Sequence, residues 1–439
     1  AVLALLGSVP VGVALALPII WFNLHHRLAP VLQAESRGGT VSLAVHRVRH
    51  GFIIAQVALA FVLLAGAGML GVSLQRVLAT NPGFQAGHLL TGQISFPWKK
   101  YPEAAPRLAF IERLLTDLRA QPGVTSAGIS SGLPFYGRVN DNATTVEGVE
   151  PAPGASIRAH YTAAAAGDYW QSLGIPLLTG RFLEDADNHR KQKVCVVDED
   201  FARRYWPKQS ALGHRLVNGP TFSEDQACTI VGVVGSVKQN DLSDKNAQGM
   251  IYYPYTIYSS NSVSVVVRTS LPPSALAPVL KKAVLAIDPE LPVDDVKAMQ
   301  VRIDDSLVVR RSPAILAGIF AGVALLLAAV GTYGVLAYAV GERRREIGVR
   351  MALGALPGQI LLQFVGLGAR LLAAGLVVGV IGAWLVGRAM QSELYGVTAI
   401  HAGVFAATAG VMIAVVLLAV YVPSRRAAQV SPLEAIRDD

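Results

Sequence analysis

The sequence contains little charge and little cysteine. Only 15% of its 439 residues are charged, whereas 52% are hydrophobic, and soluble domains usually carry about 25% charged residues. Because the apolar residues are gathered in long runs, this composition predicts a membrane protein. The two cysteines, Cys195 and Cys228, are too few to form a metal site by themselves. Each lies in a strand-like run, so they either pair as a disulfide, if those strands are neighbours in an oxidising compartment, or remain two buried thiols.

The signature motifs of several enzyme classes are also missing. The sequence has no G-x-x-x-x-G-K-[ST] loop that could hold ATP, and it has no H-E-x-x-H and no C-x-x-C. A G-x-S-x-G nucleophile motif is likewise expected to be absent. We therefore expect no catalytic residue, no cofactor and no metal in this chain, and no enzyme activity of its own. The histidines of the hydrophilic region are expected at surface or capping positions; they are His88, His160, His189 and His214.

Two acidic runs have structural interpretations. In the first run, Asp198 is placed to cap a short helix that begins at Glu199. In the second, Asp294 and Asp295 lie in or beside a strand edge, where charged side chains discourage pairing with other strands. Neither run requires a bound cation or a general acid.

The excess of positive charge lies beside the apolar runs. Residues 76–311 carry 25 Lys and Arg against 23 Asp and Glu, and the remaining residues carry 13 against 7. This distribution indicates membrane orientation and argues against a nucleic-acid surface, whose basic residues would cluster on the hydrophilic domain.

Five apolar runs have the length of a membrane span. The first, 1–22, starts without a basic leading region or an A-x-A cleavage site, which favours the C-terminal part of a longer chain over a signal peptide. The other four runs are 51–75, 312–340, 371–390 and 403–422. Since cytoplasmic loops are enriched in Lys and Arg, three basic segments are expected in the cytoplasm. These segments are 23–50, 341–370 and 423–439.

Several glycines in these runs are expected at close helix contacts rather than along a conduit, because small residues let helices approach each other. They are Gly66, Gly68, Gly71, Gly318, Gly322, Gly375 and Gly379. Apart from Arg370, which is expected at the inner interface, the spans have no ionisable residue in mid-membrane. Proton-coupled transport is therefore disfavoured.

The long hydrophilic insertion, 76–311, is expected to fold as an α+β domain of two lobes between the second and third spans. A strand–helix–strand pattern occurs at 84–130 and again at 263–300, which suggests an internal duplication that pairs into one lobe. Residues 131–262 are rich in glycine, proline and strand-like runs, and this composition predicts a second, mostly β lobe inserted into the first. The predicted fold class is thus a membrane α-helical protein with a large α+β domain.

The segment after the third span reads Arg343-Arg-Arg-Glu-Ile-Gly-Val-Arg-Met-Ala-Leu-Gly-Ala355. Four arginines at the bilayer centre would cost roughly 10–14 kcal/mol, so the segment lies in water. Apolar residues recur at three- to four-residue steps from Ile347, which predicts a short amphipathic helix. Gly354 is a candidate helix stop and Pro357 a candidate restart. Such a helix can serve as a lever for a soluble partner, or it can be a solvated loop that only fixes topology.

This segment resembles the cytoplasmic motif of FtsX-like and MacB-like ABC transporter permeases. The tail 423–436 resembles the same family, and the runs Gly174–Phe182, Phe201–Pro207 and Ile230–Val237 resemble the MacB-type periplasmic core. The extra span, with Arg27-Leu-Ala-Pro-Val-Leu-Gln33 after it, resembles the join in duplicated permeases. The resemblance therefore identifies this sequence as the second half of such a permease.

The resemblance implies a four-span unit in the bacterial inner membrane with its large domain in the periplasm. It also implies a second permease half or subunit, contact with membrane lipid, and a separate cytoplasmic ABC ATPase that holds ATP and Mg²⁺. A periplasmic adaptor or a regulated protein is a further candidate partner, and no nucleic acid is expected. The implied ATPase-coupling residues are Arg343, Arg344, Arg345, Glu346, Ile347, Gly348, Arg350, Met351, Gly354 and Ala355.

Two functions use the same lever and stay open at this point. One is export or envelope extrusion of an amphiphile or peptide, in which ATP hydrolysis moves the periplasmic domain. The other is a transmembrane signalling relay that regulates a periplasmic enzyme and transports nothing. Because the chain contains no energy source of its own, both require a nucleotide-hydrolysing partner.

Overall fold

The computed structural model describes residues 43–137, 139–149, 156–190, 192–244, 248–342 and 344–428. These residues form two compact units. One comprises Ala58–Leu327 and Leu376–Val415, and the other comprises the rest of the described chain. The predicted span 1–22, most of the segment 23–50 and most of the tail 423–439 lie outside the described residues.

The described helices are α1 (Leu43–Leu78), α2 (Ala104–Arg119), α3 (Tyr169–Leu173), α4 (Glu199–Tyr205), α5 (Pro273–Ile287), α6 (Met299–Ser306), α7 (Val308–Glu342), α8 (Arg344–Ala352), α9 (Pro357–Ala389) and α10 (Ala402–Ala428). The described strands are β1 (Leu89–Ser95), β2 (Val124–Ser130), β3 (Asp141–Val146), β4 (Ala159–Gly167), β5 (Leu177–Gly180), β6 (Val194–Asp198), β7 (Arg215–Asn218), β8 (Cys228–Val234), β9 (Met250–Pro254), β10 (Ser262–Thr269) and β11 (Val293–Ala298).

Four of these helices, α1, α7, α9 and α10, are long and apolar enough to cross a membrane. The predicted runs 51–75, 312–340 and 403–422 each fall within one of them. Helix α9 starts at Pro357, well before the predicted start at Leu371, because proline fits the first turn of a helix and apolar residues follow at once. The structure thus has four candidate spans in the described residues, and the predicted total of five stays a prediction.

Helix α7 is the least covered of the four candidate spans. Only 11% of its most apolar stretch is buried within the chain, against 39% for α1. Large side chains such as Ile319, Phe320 and Leu326 are exposed along it. An apolar face of this length must be covered by lipid or by another protein.

The two strand–helix–strand units, β1-α2-β2 and β10-α5-β11, interlock in one sheet. Their strands lie in the order β11-β1-β10-β2, so strands of the two units alternate. Strand β10 runs antiparallel to both neighbours, with Val267 opposite Leu90 and Val266 opposite Gly128. Both helices pack on the same face, where Leu114 and other buried side chains of α2 and α5 join one core.

The strands of the predicted β-rich lobe continue the same sheet, because β2 pairs with β4. From β4 the order runs β3-β7-β8-β6-β9, and β9 pairs in turn with β4. These six strands therefore form a closed ring, and β5 is added beside β8. The composition of residues 131–262 predicted a mostly β lobe but not the β2–β4 pairing, since pairing between distant strands is not encoded locally.

Two sequence predictions about single side chains have different outcomes. Asp198 was expected to cap a helix, and its carboxylate accepts a hydrogen bond from the Phe201 backbone N–H at 2.8 Å, so this prediction is confirmed. His160 was expected at the surface, and this is wrong. Its ring is fully buried, with one nitrogen 2.8 Å from the Tyr205 hydroxyl and the other beside the Gln248 carbonyl. Both ring nitrogens thus have hydrogen-bond partners in the core. The periodicity of the sequence does not reveal such partners.

The buried carboxyl of Asp198 makes a pH-dependent contribution to stability. Burial raises its pKa to about 6, whereas an unfolded aspartate titrates near about 3.9. As the pH rises from about 4 to above 6, the folded state must ionise a buried group, so this contribution declines by up to about 3 kcal/mol. Asp198→Asn retains an acceptor for the cap and does not titrate. Between pH 4 and pH 7 we expect the thermal unfolding temperature of the variant to rise relative to that of the wild type. The same pH dependence in both proteins would contradict this.

Candidate functional site

Helix α8 is a short helix between two candidate spans. Its described residues are Arg344–Ala352, and its last turn closes through two backbone hydrogen bonds. The Ala355 N–H donates to the Arg350 carbonyl at 3.0 Å, and the Gly354 N–H donates to the Met351 carbonyl at 3.1 Å. With Gly354 at a φ of 96°, this is a Schellman motif, in which glycine tolerates the left-handed conformation.

The helix stop at Gly354 and the restart at Pro357 are both confirmed. Together they fix the length of the break between α8 and α9. The two helices are thus joined by a turn of defined geometry.

The burial of the apolar side chains in and directly after α8 differs from the sequence prediction. Ile347, expected on the exposed apolar face, is only 5% exposed. Val349, Leu353 and Leu356 are instead exposed, Leu353 to 83%. The helix is thus anchored inward by Ile347 and presents a separate apolar surface, defined here as the α8 surface by Val349, Leu353 and Leu356. The sequence spacing placed these residues near one another but could not indicate which of them the neighbouring spans cover.

The other predicted coupling residues lie on or beside α8. The Glu346 carboxylate forms an ion pair with the Arg350 guanidinium, one helical turn away, at 2.5 Å. Both side chains are about half exposed. Such exposed pairs contribute at most about 0.5 kcal/mol. Gly348 is buried and Met351 is partly buried. Arg343 lies outside the described residues, as do the side chains of Arg344 and Arg345.

Helix α1 packs closely against α7 and α9 in the unit that contains α8. The guanidinium of Arg49 lies 4.0 Å from the ring centroid of Tyr338 on α7, a distance typical of cation–π contacts. A Cβ atom added to Gly375 on α9 would lie 2.6 Å from Val57 Cγ1. A Cβ at Gly331 would lie against the side chain of Gln56.

The glycines predicted at helix contacts fall into two groups. An added Cβ would lie 2.7 Å from Val404 at Gly68 and 2.8 Å from Phe61 at Gly379, and Gly375 is equally close to its neighbour. No atom lies within 4 Å of such a Cβ at the other predicted positions, Gly66, Gly71, Gly318 and Gly322. The sequence interpretation missed Gly331, Gly368 and Gly387, which also approach neighbouring atoms closely.

These two groups give a matched pair of substitutions. Gly379→Ala places a methyl group 2.8 Å from Phe61 Cβ and 3.2 Å from the Ala58 carbonyl oxygen, and overpacking of this kind costs about 1–3 kcal/mol. Gly318→Ala is the control, because it makes the same gain in helix propensity where no atom lies within 4 Å of the added methyl group. We expect the thermal unfolding temperature in detergent to be lower for Gly379→Ala than for Gly318→Ala. Equal temperatures would mean that the α1–α9 contact is not tight.

The second part of the candidate site is the junction between the membrane helices and the inserted domain. Val77, at the end of α1, is fully buried in the same hydrophobic cluster as Trp170 and Tyr252 of the inserted domain. Ile303 and Leu307, directly before α7, belong to that cluster too. The end of α1 and the segment that leads into α7 are therefore packed in the core of the domain.

Backbone hydrogen bonds fasten the segment that leaves α1. The Lys238 N–H donates to the Pro82 carbonyl at 2.9 Å, and the Gln85 N–H donates to the Leu173 carbonyl at 2.8 Å. Between them, Gly83 has a φ of 87°, and an added Cβ would collide with the Ser236 carbonyl oxygen. A glycine is thus required at this turn.

Arg302 fastens the other entrance, through α6. Its guanidinium is only 4% exposed and donates to Thr91 Oγ1 on β1 at 2.6 Å and to Asp295 Oδ2 on β11 at 2.5 Å. The ring centroid of Tyr136 lies 4.7 Å away. Although burial opposes ionisation of Asp295, hydrogen bonds from Arg302 and Lys297 hold the pKa of that carboxyl below its usual value. This buried ion pair ties α6 to the edge of the sheet.

The loop between α9 and α10 is attached to the same junction. The Arg310 guanidinium, at the start of α7, lies 3.0 Å from Asp241 Oδ2 of the domain and 3.4 Å from the Glu393 carbonyl of the loop. The Tyr395 N–H donates to Ser73 Oγ on α1 at 2.9 Å. Three spans and the domain are thereby connected at one place.

One motif of an enzyme class is present in the inserted domain. The prediction that the chain lacks G-x-S-x-G is wrong, because the run Gly128–Gly132 fits this pattern of serine hydrolases. However, Ser130 is fully buried within β2, and its hydroxyl donates to the Gly132 carbonyl, whereas the hydrolase serine stands exposed on a strand-to-helix turn. No group of three or more metal-ligating side chains occurs in the part of the chain that the structure describes.

An open cleft of about 430 Å³ beside β5 is lined by charges that satisfy one another. Arg119 pairs with Asp168 at 2.8 Å, and Arg181 pairs with Asp187 at 2.7 Å. Although burial opposes ionisation of Asp187, the hydrogen bonds from Arg181 hold its pKa below the usual value. Charges already neutralised in this way do not indicate an ion-binding site.

The fold and the junction define a class: a membrane protein with a large domain inserted between two of its candidate spans. Two family models match, the MacB-like periplasmic core domain over residues 51–286 and the FtsX-like permease C-terminal domain over residues 318–432. The first alone covers more than half of the sequence. The chain therefore belongs to the FtsX-like and MacB-like ABC transporter permeases, and it is a membrane protein with a periplasmic domain.

Three individual proteins show this similarity, each at 26% sequence identity or less. The chain is 26% identical over 287 residues to the probable syringafactin export ATP-binding/permease protein SyfD of Pseudomonas syringae, covering 62% of this chain and 41% of the relative. It is 25% identical over 354 residues to the ABC transporter permease YknZ of Bacillus subtilis, covering 76% and 81%. The periplasmic region of MacB from Actinobacillus actinomycetemcomitans is 13% identical with a TM-score of 0.34, covering 52% of this chain and 95% of that structure. The match thus spans about two-fifths of the SyfD length.

Proposed function

We propose that this chain is the permease subunit through which a separate ABC ATPase, binding Mg-ATP in the cytoplasm, moves the periplasmic domain. The observation that carries this proposal is α8, a capped helix between two spans with the exposed apolar α8 surface. The proposal places the chain in the bacterial inner membrane with α8 in the cytoplasm, as its four nearby arginines favour.

The α8 surface has the chemistry of a docking site for a soluble protein. Full burial of a valine or leucine side chain contributes about 1.5–3 kcal/mol, so covering the three exposed residues would favour docking and offset part of the cost of association. The arginines that flank the surface would add electrostatic steering toward an acidic groove. A rigid Schellman turn supports the surface on the side of α9.

We infer that movement passes to the periplasmic domain along α7. This helix comprises Val308–Glu342, with Pro313 in its second turn. Its inner end adjoins α8 in the sequence, and its outer end adjoins Leu307 in the domain core. A tilt of α7 that begins at α8 would therefore move the domain without any channel through the spans.

The proposed activity is export or envelope extrusion of an amphiphile or peptide. The similarity to SyfD, a probable syringafactin export ATP-binding/permease protein, supports export. The uncovered face of α7 would be occupied by lipid or by a second permease half. In the other function considered, the same relay regulates a periplasmic enzyme and carries no substrate.

The test is ATP hydrolysis by the permease and its ATPase subunit reconstituted together in liposomes. An exported amphiphile or peptide should raise the turnover of ATP and leave the liposome surface in an ATP-dependent manner. Stimulation by a periplasmic protein, without movement of any small ligand, would favour the signalling relay. An ATPase subunit that does not bind the permease would contradict the proposal.

A further inference from the structure

The two cysteines of the chain lie side by side in the periplasmic domain. Cys195 is on β6 and Cys228 opens β8, and these strands are parallel neighbours with Cys195 opposite Ile230. Their Sγ atoms are 2.8 Å apart although the residues are 33 positions apart in the sequence. A disulfide has an S–S distance of about 2.05 Å, so bond formation requires a movement of less than about 1 Å.

Both sulfur atoms are enclosed by the protein. Cys195 is 0% exposed and Cys228 is 1% exposed, and they share a hydrophobic cluster with Phe201 and Tyr253. In the described structure no metal-binding group includes them. Two thiols this close together in an apolar core can react with each other to form a disulfide.

We propose that Cys195 and Cys228 form an intramolecular disulfide when the domain matures in the periplasm. The two thiols lose two protons and two electrons, and the S–S bond of a periplasmic disulfide donor is reduced to two thiols. The bond forms through a mixed disulfide between the donor and one of the two cysteines, which the other cysteine then attacks. The inference depends on the periplasmic location of the domain, where thiol oxidation is favoured, and does not depend on export.

The burial of the pair determines when the reaction takes place. Burial raises the pKa of the Cys195 thiol well above its usual value, and the thiolate is the reactive form. In the folded domain the thiols are therefore unreactive and inaccessible, so the donor must act before the core around β6 and β8 closes. For the same reason the finished bond should resist a reductant until the domain unfolds.

The test is a peptide map of the full chain, purified from bacterial membranes with an alkylating agent present and digested without reduction. Trypsin should release Val194–Arg203 joined to Leu216–Lys238, two hydrogen atoms lighter than the separate peptides, and reduction should split this product. Recovery of both peptides alkylated, or of either joined to its own copy, would overturn the proposal. In folded protein the link should survive dithiothreitol and disappear once a denaturant is added.

A stability measurement provides a second, independent readout. The same chain produced in a strain without the periplasmic disulfide donor has identical side chains and two free thiols. Its thermal unfolding temperature should be lower by about 5–10 °C, since a disulfide restricts the unfolded chain. The double variant Cys195→Ala, Cys228→Ala should have the same temperature in both strains. If the wild type also unfolds at one temperature in both strains, the proposed bond is absent.

Discussion

Val349→Pro should abolish coupling while leaving both membrane insertion and the basal ATPase activity of the partner in place. Proline in a helix interior removes a backbone hydrogen bond and clashes with the carbonyl four residues earlier, at a cost of about 3 kcal/mol or more. Helix α8 has only nine residues, so it has little further structure to absorb this cost. ATP-dependent export or activation of the periplasmic target should fall at least about tenfold, because 1.4 kcal/mol already corresponds to a factor of ten.

The control is Val349→Ala at the same position. Val349 is 45% exposed, so alanine removes part of a surface side chain and leaves the backbone intact. This variant should lose clearly less coupled activity than Val349→Pro, because it shortens one side chain of the α8 surface and leaves the helix intact. Reversal of charge at Arg344 and Arg345 should resemble the proline variant, because it repels an acidic partner without altering the spans. If Val349→Pro retains full coupled activity, α8 is not the coupling helix.

Arg302→Met should destabilise the periplasmic domain more than any other single substitution considered for the junction. It leaves Asp295 without its buried partner and removes the donor to Thr91 Oγ1. Removing one member of a buried ion pair typically costs about 3–5 kcal/mol. Since Lys297 still lies 3.2 Å from Asp295, we expect the lower end of this range. The thermal unfolding temperature should fall by roughly 6–12 °C.

The pH dependence of this loss identifies its cause. A carboxyl whose pKa is lowered by folding stabilises the protein above its unfolded pKa, and this contribution is lost as the pH falls through the lower, folded value. The difference between wild type and Arg302→Met should therefore shrink below about pH 4. A constant difference would indicate lost packing against Tyr136 rather than the ion pair, and a difference under 0.5 kcal/mol at pH 7 would contradict the assigned role.

Local features of the structure could be predicted from the sequence where one short pattern decides the outcome. The Asp198 cap and the stop at Gly354 follow from turn chemistry within a few residues. The strands β2 and β8 follow from β-branched runs. The restart at Pro357 was predicted, but the fourth span was expected only from 371, and nothing local in 357–370 shows that one helix runs through to Ala389.

The features that connect distant segments could not be predicted. Nothing local marks Arg302 as the buried partner of Asp295, or Val77 as a member of the domain core. The burial of His160 and Ile347 likewise depends on neighbours supplied by other elements. The junction between spans and domain, which is the structural basis of the proposed relay, therefore became visible only in three dimensions.

The most direct test of the relay is a distance measurement in the reconstituted complex of permease and ATPase. A donor dye on Trp98→Cys, which replaces a side chain that is 64% exposed in the periplasmic domain, is paired with acceptor dyes on the lipid head groups. The relay predicts that energy transfer changes between the nucleotide-free and the ATP-trapped complex, and that Val349→Pro eliminates this change. Equal energy transfer in both nucleotide states, from a complex that hydrolyses ATP and performs its function, would contradict the relay.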